Sequence, residues 1–149
     1  MANSYSQVYI QAVFAVKYRR AVLHKEWRQE VFAVMGNLIN ETGCKAIIVN
    51  GVEDHVHLFF GLKPTCSLSE VMKVVKAKSS KFINESTFLQ HRFEWQRGYG
   101  VFSYSKSAVS NVYNYIARQE QHHAKKSMRQ EYIEQLKRFE IDYDEQYIF

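Results

Sequence analysis

Hydrophobic and polar residues alternate along the first part of the chain, over residues 5–16. Side chains on a β-strand point to opposite faces in turn, so this alternation predicts a first strand. The basic run that follows, residues 17–20, predicts an exit from the sheet. The predicted apolar face of the strand consists of Val8, Ile10, Ala12, Phe14 and Val16.

The remaining chain switches between helical and strand periodicity. Gly43 follows one helical pattern in the usual C-terminal position, and Ser67 with Glu70 fits a capping box that opens another helix. The two central strand patterns are separated by only a few residues and predict a hairpin or a bent pair. The predicted elements are a helix over 25–42, strands over 46–52 and 54–62, a helix from Ser67, an aromatic strand over 95–105, and helices over 106–125 and 127–139.

The order of these elements is βαββαβ followed by helices. Two split βαβ units of this kind build a four-stranded antiparallel sheet with helices on one face, the ferredoxin-like or RRM-like α+β sandwich. The 149 residues suffice for a single domain, residues 1–149, with extra C-terminal helices. Nucleic-acid-binding modules and enzymes both use this architecture, so the fold alone does not decide the function.

The third predicted strand carries a histidine pair, His55 and His57, inside an apolar run. With a period of two, both imidazoles point to one face, while Val56, Leu58 and Phe60 point into a core. Two imidazoles on one rigid strand supply half of a metal site. The alternative is a pair of strand histidines that bond to backbone or solvent.

The third predicted helix supplies further candidates for the same site. Val112 and Ile116 mark its sheet-facing stripe, and Tyr115 and Gln119 fall within that stripe, one turn apart. A buried glutamine amide without partners costs about 1–3 kcal/mol, and a metal would provide one. Tyr115 could instead be a core aromatic, and Tyr113, roughly 160° around the helix, is a rival nucleophile.

Such a set of residues suggests nucleophilic attack by a tyrosine on a phosphodiester. A hydroxyl with a pKa of about 10 needs help from a base or a metal at neutral pH. A divalent ion held by His55, His57 and Gln119 would keep positions open for two oxygens and polarise the phosphate. These ligand types suit Mg²⁺ or Mn²⁺ and do not exclude zinc.

The charge balance favours a polyanionic partner, nucleic acid before membrane. The chain has 20 Lys and Arg against 15 Asp and Glu, a net charge of +5 and a pI near 9.2. Individually its basic residues are expected to be solvated surface; collectively they could track a DNA backbone. The candidates are Lys17, Arg19, Arg20, Lys73, Lys76 and Lys81.

The cellular location of the protein can be predicted from its apolar runs, its first residues and its cysteines. No apolar run approaches the roughly 18 residues that span a bilayer, and the first residues do not resemble a signal peptide. Cys44 and Cys66 have no metal-ligand spacing and suit a reducing compartment. We therefore expect a cytoplasmic protein without a membrane partner.

The motifs His55-Val56-His57 and Tyr115-Ile116-Ala117-Arg118-Gln119 resemble those of the HUH single-tyrosine transposases of the insertion-sequence 200/605 family. The resemblance covers nearly the whole chain, from the first strand through the third helix. It implies that His55, His57 and Gln119 bind the metal and that Tyr115 is the nucleophile. It also implies a homodimer that cleaves and rejoins single-stranded DNA with hairpins through a 5′-phosphotyrosine intermediate.

Several alternatives stay open at this point. Replication-initiation and relaxase nickases share the histidine pair and tyrosine but are usually longer chains, and a domesticated relative acting on chromosomal repeats would look the same. A non-catalytic nucleic-acid-binding module would use the same sheet. His122 and His123 are expected to be exposed helix-end residues, and Glu53 or Asp54 could orient a histidine.

Overall fold

The computed structural model describes residues 4–148. Within this range the chain forms one four-stranded sheet and five α-helices. The strands are β1 (Tyr9–Ala15), β2 (Lys45–Gly51), β3 (His55–Gly61) and β4 (Gly100–Tyr104). The helices are α1 (Arg28–Glu41), α2 (Leu68–Glu85), α3 (Val109–Ala117), α4 (Gln119–His123) and α5 (Met128–Arg138).

The strands lie in the order β2-β3-β1-β4, and every pair of neighbours is antiparallel. The predicted α+β sandwich is therefore confirmed, with β2 and β3 as the predicted hairpin. β1 and β3 are the two central strands. Their register places Ala15 opposite His55 and Val13 opposite His57.

One face of the sheet packs against α1 and α2 and forms the main core. The alternation predicted for β1 and β3 is confirmed there, except that Val8 lies outside β1 and is exposed. Burial of these side chains provides the main driving force for folding. The central residues of this core are Ile10, Ala12, Phe14, Val56, Leu58 and Phe60.

The C-terminal helices cover the opposite face of the sheet. Val112 and Ile116 of α3 pack on Phe59. Met128, Tyr132 and Leu136 of α5 form a separate cluster with β1 and β4. The sheet is thus covered on both sides, and the side chains of β3 that face α3 and α5 are buried.

The continuous helix predicted over 106–125 is wrong. The chain forms a 3-10 turn at Lys106–Ala108 and then α3, leaves helical geometry at Arg118 (φ −104°, ψ 29°), and resumes as α4. The side-chain amide of Asn50 donates to the carbonyl oxygens of Ile116 (3.0 Å) and Ala117 (3.4 Å). These last carbonyls of α3 therefore have a side-chain partner on β2, and Gln119 begins a new helix.

The other boundaries differ less from the prediction. The fourth strand is limited to β4, and Trp95 forms only an isolated bridge with Val16. The capping box at Ser127 and Gln130 opens α5. Ser67 caps α2 through the backbone N–H of Glu70, at 3.3 Å. No helix in residues 4–148 is long and apolar enough to cross a membrane.

Candidate active site

The two histidines of β3 are buried, and each has its Nδ1 held by a neighbouring oxygen. Nδ1 of His55 lies 2.7 Å from a carboxylate oxygen of Asp54, and Nδ1 of His57 lies 2.8 Å from the amide oxygen of Gln11. Gln11 donates its own amide N–H to the hydroxyl of Tyr104 at 2.9 Å, which fixes the direction of its amide. Both Nδ1 atoms therefore act as donors, and both Nε2 atoms carry the free lone pair in the neutral ring.

Both Nε2 atoms face oxygen atoms that can only accept hydrogen bonds. Nε2 of His55 lies 3.3 Å from the amide oxygen of Gln119, and Nε2 of His57 lies 3.1 Å from a carboxylate oxygen of Glu131. Burial lowers the pKa of His57 despite the contact with Glu131, which favours the neutral ring. Lone pairs that converge on one another in this way are satisfied by a shared cation, so the donor set fits a metal ion.

Tyr115 and Gln119 lie at the same site as the histidine pair. The ring of Tyr115 is 6.1 Å from the ring of His57 and 4.6 Å from the ring of His122, measured between centroids. Gln119 is fully buried, and its amide N–H donates to the backbone oxygen of Tyr115 at 3.4 Å. All four residues predicted for the site therefore come together within one protomer.

The hydroxyl of Tyr115 is held in its protonated form. Burial raises its pKa, and the neighbouring carboxylate of Glu131, which accepts a hydrogen bond from the hydroxyl, raises it further. Contacts with His123 and His57 outweigh the effect of burial and keep the pKa of Glu131 well below its usual range. A phenol beside a carboxylate becomes a nucleophile when the carboxylate takes its proton or when a cation offsets the negative charge.

The structure adds three polar residues that the sequence reasoning did not place at the site: Gln11, Glu131 and His123. His122 and His123 were both expected to be exposed helix-end residues, and that expectation is wrong: both are half-buried, and the ring of His122 packs against Tyr115. The ring of His123 lies 4.4 Å from that of His55. Burial would lower the pKa of His123, but its contact with Glu131 outweighs this and raises it.

Sequence signals for these residues exist. Glu131 interrupts the apolar stripe of Met128, Tyr132 and Leu136 on α5, as Gln119 does on its own helix. His123 follows Gln119 by one helical turn. A polar residue within an apolar stripe is the pattern common to both predicted and overlooked residues.

A cavity of about 460 Å³ opens beside Tyr115, between α3 and α5. Its wall carries both basic and acidic groups, and Lys126 is paired with Glu134 at 2.6 Å. The residues that bring positive charge to it are Lys125, Lys126 and Arg138. The volume is within the range of small-molecule sites.

The basic residues that follow β1 form a turn at the end of the sheet where β3 begins. The backbone N–H of Val16 donates to the oxygen of Asp54 at 2.9 Å, so the turn adjoins the residue that holds His55. Lys17 pairs with Glu94 at 2.8 Å, while Arg19 and Arg20 are exposed. Tyr18, which follows Lys17, is 72% exposed. The Lys17 ammonium lies 5.4 Å and the Arg20 guanidinium 5.5 Å from the centre of its ring.

The three lysines of α2 lie in different environments. Lys73 and Lys81 are exposed. Lys76 is half-buried, and its ammonium donates to the backbone oxygens of Gln96 and Gly98, each at 2.8 Å. Lys76 is therefore engaged within the fold, whereas Lys73 is exposed and Lys81 makes only an exposed ion pair with Glu85 at 3.9 Å.

Comparison with solved structures shows relatives of the same fold. A transposase-like protein of Deinococcus radiodurans superimposes with a TM-score of 0.64 at 20% identity, covering 80% of this chain and 95% of the other. A REP-associated tyrosine transposase bound to a REP hairpin superimposes with a TM-score of 0.59 at 13% identity, and the match covers 83% of this chain and 74% of the other.

Sequence comparison is more specific. The transposase of insertion sequence element IS200 from Salmonella typhimurium is 30% identical over 113 residues, which is 72% of this chain and 73% of the relative. The ISDra2 transposase of Deinococcus radiodurans is 22% identical over 118 residues, 76% and 84% of the two chains. The model of the IS200-like transposases matches residues 4–119. The chain therefore belongs to the IS200-like transposase family.

Proposed function

We propose that this transposase cleaves and rejoins single-stranded DNA through a covalent 5′-phosphotyrosine at Tyr115. Its cofactor is a divalent ion, Mg²⁺ or Mn²⁺, held by His55, His57 and Gln119. The observation that carries the proposal is the 6.1 Å separation between the rings of Tyr115 and His57 in a buried site where Gln119 faces His55. These residues lie within the segment that matches the transposase family.

The reaction conserves the energy of the phosphodiester. The Tyr115 oxygen attacks phosphorus, a tyrosine–phosphate bond forms, and the bond to the 3′-oxygen breaks. The phenol gives up its proton as it attacks and the departing 3′-oxygen takes up a proton, so the oxygen leaves as a free hydroxyl and no net proton is consumed. In the reverse direction a 3′-hydroxyl attacks the phosphotyrosine and releases the phenol, so no nucleotide cofactor is consumed.

The protein's own groups prepare this exchange. Asp54 and Gln11 accept hydrogen bonds from the Nδ1 atoms and so fix the orientation of the two imidazole rings. Both Nε2 atoms then point into the site. Gln119 links the site to the backbone of Tyr115 and so sets the position of the nucleophile. When bound, the metal supplies Lewis acidity for the scissile phosphate and offsets the charge of Glu131.

The proposed substrate is single-stranded DNA with hairpin ends, bound by a homodimer in the cytoplasm. The net charge of +5 favours a nucleic-acid partner. The candidate phosphate contacts are Lys17, Arg19, Arg20, Lys73 and Lys81, and Lys76 is left out of the predicted set because its ammonium is engaged by backbone oxygens of the fold. Of these, Arg19 and Arg20 are exposed on the turn that adjoins Asp54. Light scattering of the purified protein tests the dimer.

The covalent intermediate can be tested with labelled hairpin DNA and Mn²⁺. We expect a protein–DNA adduct that resists denaturant, and Tyr115→Phe should abolish it while leaving DNA binding intact. Tyr113→Phe is the matched control, because Tyr113 lies on the same helix but is 44% exposed. Persistence of the adduct in Tyr115→Phe would assign the nucleophile elsewhere.

The same experiment separates the enzyme from a binding module. A wild-type protein that binds the hairpin with unchanged affinity after chelation, and never forms an adduct, would be a non-catalytic nucleic-acid-binding protein. We expect instead that chelator and His57→Ala each abolish the adduct.

DNA contacts at the turn can be tested by salt dependence. Arg19→Ala with Arg20→Ala should weaken binding to all sequences and reduce the slope of log affinity against log salt by about 2. Lys45→Ala is the control, because Lys45 is exposed at the start of β2, an edge strand of the sheet. A slope reduced about half as much by Lys45→Ala, which removes one charge where the turn variant removes two, would mean that binding follows net charge rather than this turn.

A further inference from the structure

Two of the side chains with possible metal-ligating atoms, His123 and Glu131, come from the C-terminal segment rather than from the sheet or α3. Carboxylate oxygens of Glu131 lie 3.1 Å from Nε2 of His57 and 3.1 Å from Nε2 of His123. The geometry at His123 does not form a hydrogen bond, and its Nε2 is buried without a hydrogen-bond partner. Such a nitrogen beside a carboxylate is satisfied when either a proton or a metal ion joins the two groups.

The distances are close to those of a coordination sphere. Ligand atoms of His55, His57, His123 and Glu131 all lie within 4.8 Å of one another. Two ligands on opposite sides of an ion, each at about 2.1–2.3 Å, are separated by about 4.2–4.6 Å. Small side-chain movements therefore suffice to place all four around one ion.

We propose that Glu131 and His123 are metal ligands, so that the C-terminal helices form part of the metal centre. The inference deepens the proposed function, since it concerns the same ion. The segment that matches the transposase family ends at residue 119, so both ligands lie beyond it. A single ion would then join β3, α4 and α5.

This arrangement has two physical consequences. The Glu131 carboxylate adds a negative charge to a set otherwise made of neutral imidazoles and an amide, which strengthens the binding of a divalent cation. The ion also cross-links α5 to the sheet, to which α5 otherwise attaches through a small cluster that includes Tyr132 and Leu136. Metal binding should therefore stabilise the whole C-terminal segment.

Mn²⁺ titration of the full chain by calorimetry, with electron paramagnetic resonance to count bound ions, tests the proposal. Glu131→Gln keeps the size of the side chain and removes its charge, and we expect the affinity to fall at least tenfold, roughly the lower limit for residues that support metal ligands. His123→Asn should also weaken binding. Glu134→Gln is the matched control on α5, because Glu134 is half exposed and paired with Lys126.

Proteolysis provides a second measurement that does not depend on the variants. Lys125 and Lys126 are exposed between α4 and α5. Mn²⁺ should slow tryptic cleavage of the wild-type protein at these residues, and this protection should be lost in Glu131→Gln. If Glu131→Gln fails to fold, absence of Mn²⁺ protection in the wild-type protein would still overturn the proposal.

The opposite result has a clear meaning. If Glu131→Gln binds Mn²⁺ as well as or better than the wild type, Glu131 only occupies the metal position and must leave it, and the proposal fails. Tyr115→Phe should retain full Mn²⁺ affinity without forming the DNA adduct. Normal adduct formation with unchanged affinity in Glu131→Gln would refute this inference alone, whereas reduced affinity without any wild-type adduct would refute the proposed function alone.

Discussion

The amide oxygen of Gln11 lies 2.8 Å from Nδ1 of His57, across the pair of central strands. An amide oxygen only accepts hydrogen bonds, so this contact requires the proton on Nδ1 and directs the lone pair of Nε2 into the site. Gln11, a residue of β1, thereby orients His57, a proposed metal ligand on β3.

Gln11→Leu should weaken Mn²⁺ binding by about 10- to 100-fold, because His57 loses the group that fixes its ring and tautomer. Calorimetric titration measures the effect. Gln11→Glu is the control, since a carboxylate of the same length still accepts a hydrogen bond from Nδ1 of His57. Equal losses in both variants would show that Gln11 acts through packing rather than by orienting the histidine.

Gly51 lies against the backbone of β3 at the first histidine. A Cβ atom added there would stand 2.2 Å from the backbone oxygen of His55 and 2.9 Å from Cα of Val56. Gly51→Ala should therefore displace β3 and lower the free energy of unfolding by about 1–3 kcal/mol. Urea denaturation measures this change.

Gly61→Ala is the matched control for this prediction. Gly61 ends β3 as Gly51 ends β2, and its added Cβ would meet nothing nearer than 3.9 Å. We expect a loss well below that of Gly51→Ala. Similar losses in the two variants would mean that the strands simply disfavour alanine.

Local patterns account for the parts of this molecule that the sequence predicts well. The face to which His55 and His57 point follows from the alternation of β3, and Tyr115 with Gln119 follows from one helical stripe. The position of Glu131 depends on the packing of α5 against the sheet face opposite α1 and α2. This is a long-range contact, and the periodicity of hydrophobic residues within one element does not encode it.

The break at Arg118 shows a second limit of local reasoning. The residues around it have a helical pattern, and the partner of the last α3 carbonyls is Asn50, on a strand more than sixty residues earlier. Beyond the break, His123 of α4 lies against His55 in the site. Helix periodicity alone therefore predicted the right residues but the wrong path.

Asn50→Asp tests how that break is held. The substitution replaces an amide donor by a carboxylate that faces the carbonyl oxygens of Ile116 and Ala117, so two acceptors would oppose one another. We expect the free energy of unfolding to fall by about 1–3 kcal/mol in urea denaturation. Asn37→Asp, at an exposed position of α1, is the control. Unchanged stability in Asn50→Asp would mean that packing of α3 alone sets its end.

Lys76 gives the protein a pH-dependent contribution to stability. Burial lowers the pKa of its ammonium from the ordinary value of 10.5 to about 8. Between these two values the unfolded chain holds the proton and the folded chain releases it, so this contribution to the free energy of unfolding rises with pH. Lys76→Met lacks the titrating group, and the stability of the wild type relative to this variant should increase between pH 7.5 and 9.5. Urea denaturation at both pH values measures the difference.

Lys73→Met is the control for the pH effect, because Lys73 lies about one turn earlier on α2 and is exposed. The stability difference between the wild type and this variant should stay constant over the same pH range. The two backbone oxygens that accept hydrogen bonds from Lys76 oppose the effect of burial, since they stabilise the charged form. A pH-independent difference for Lys76→Met would mean that these oxygens fully offset the cost of burial and that Lys76 stays protonated throughout the range.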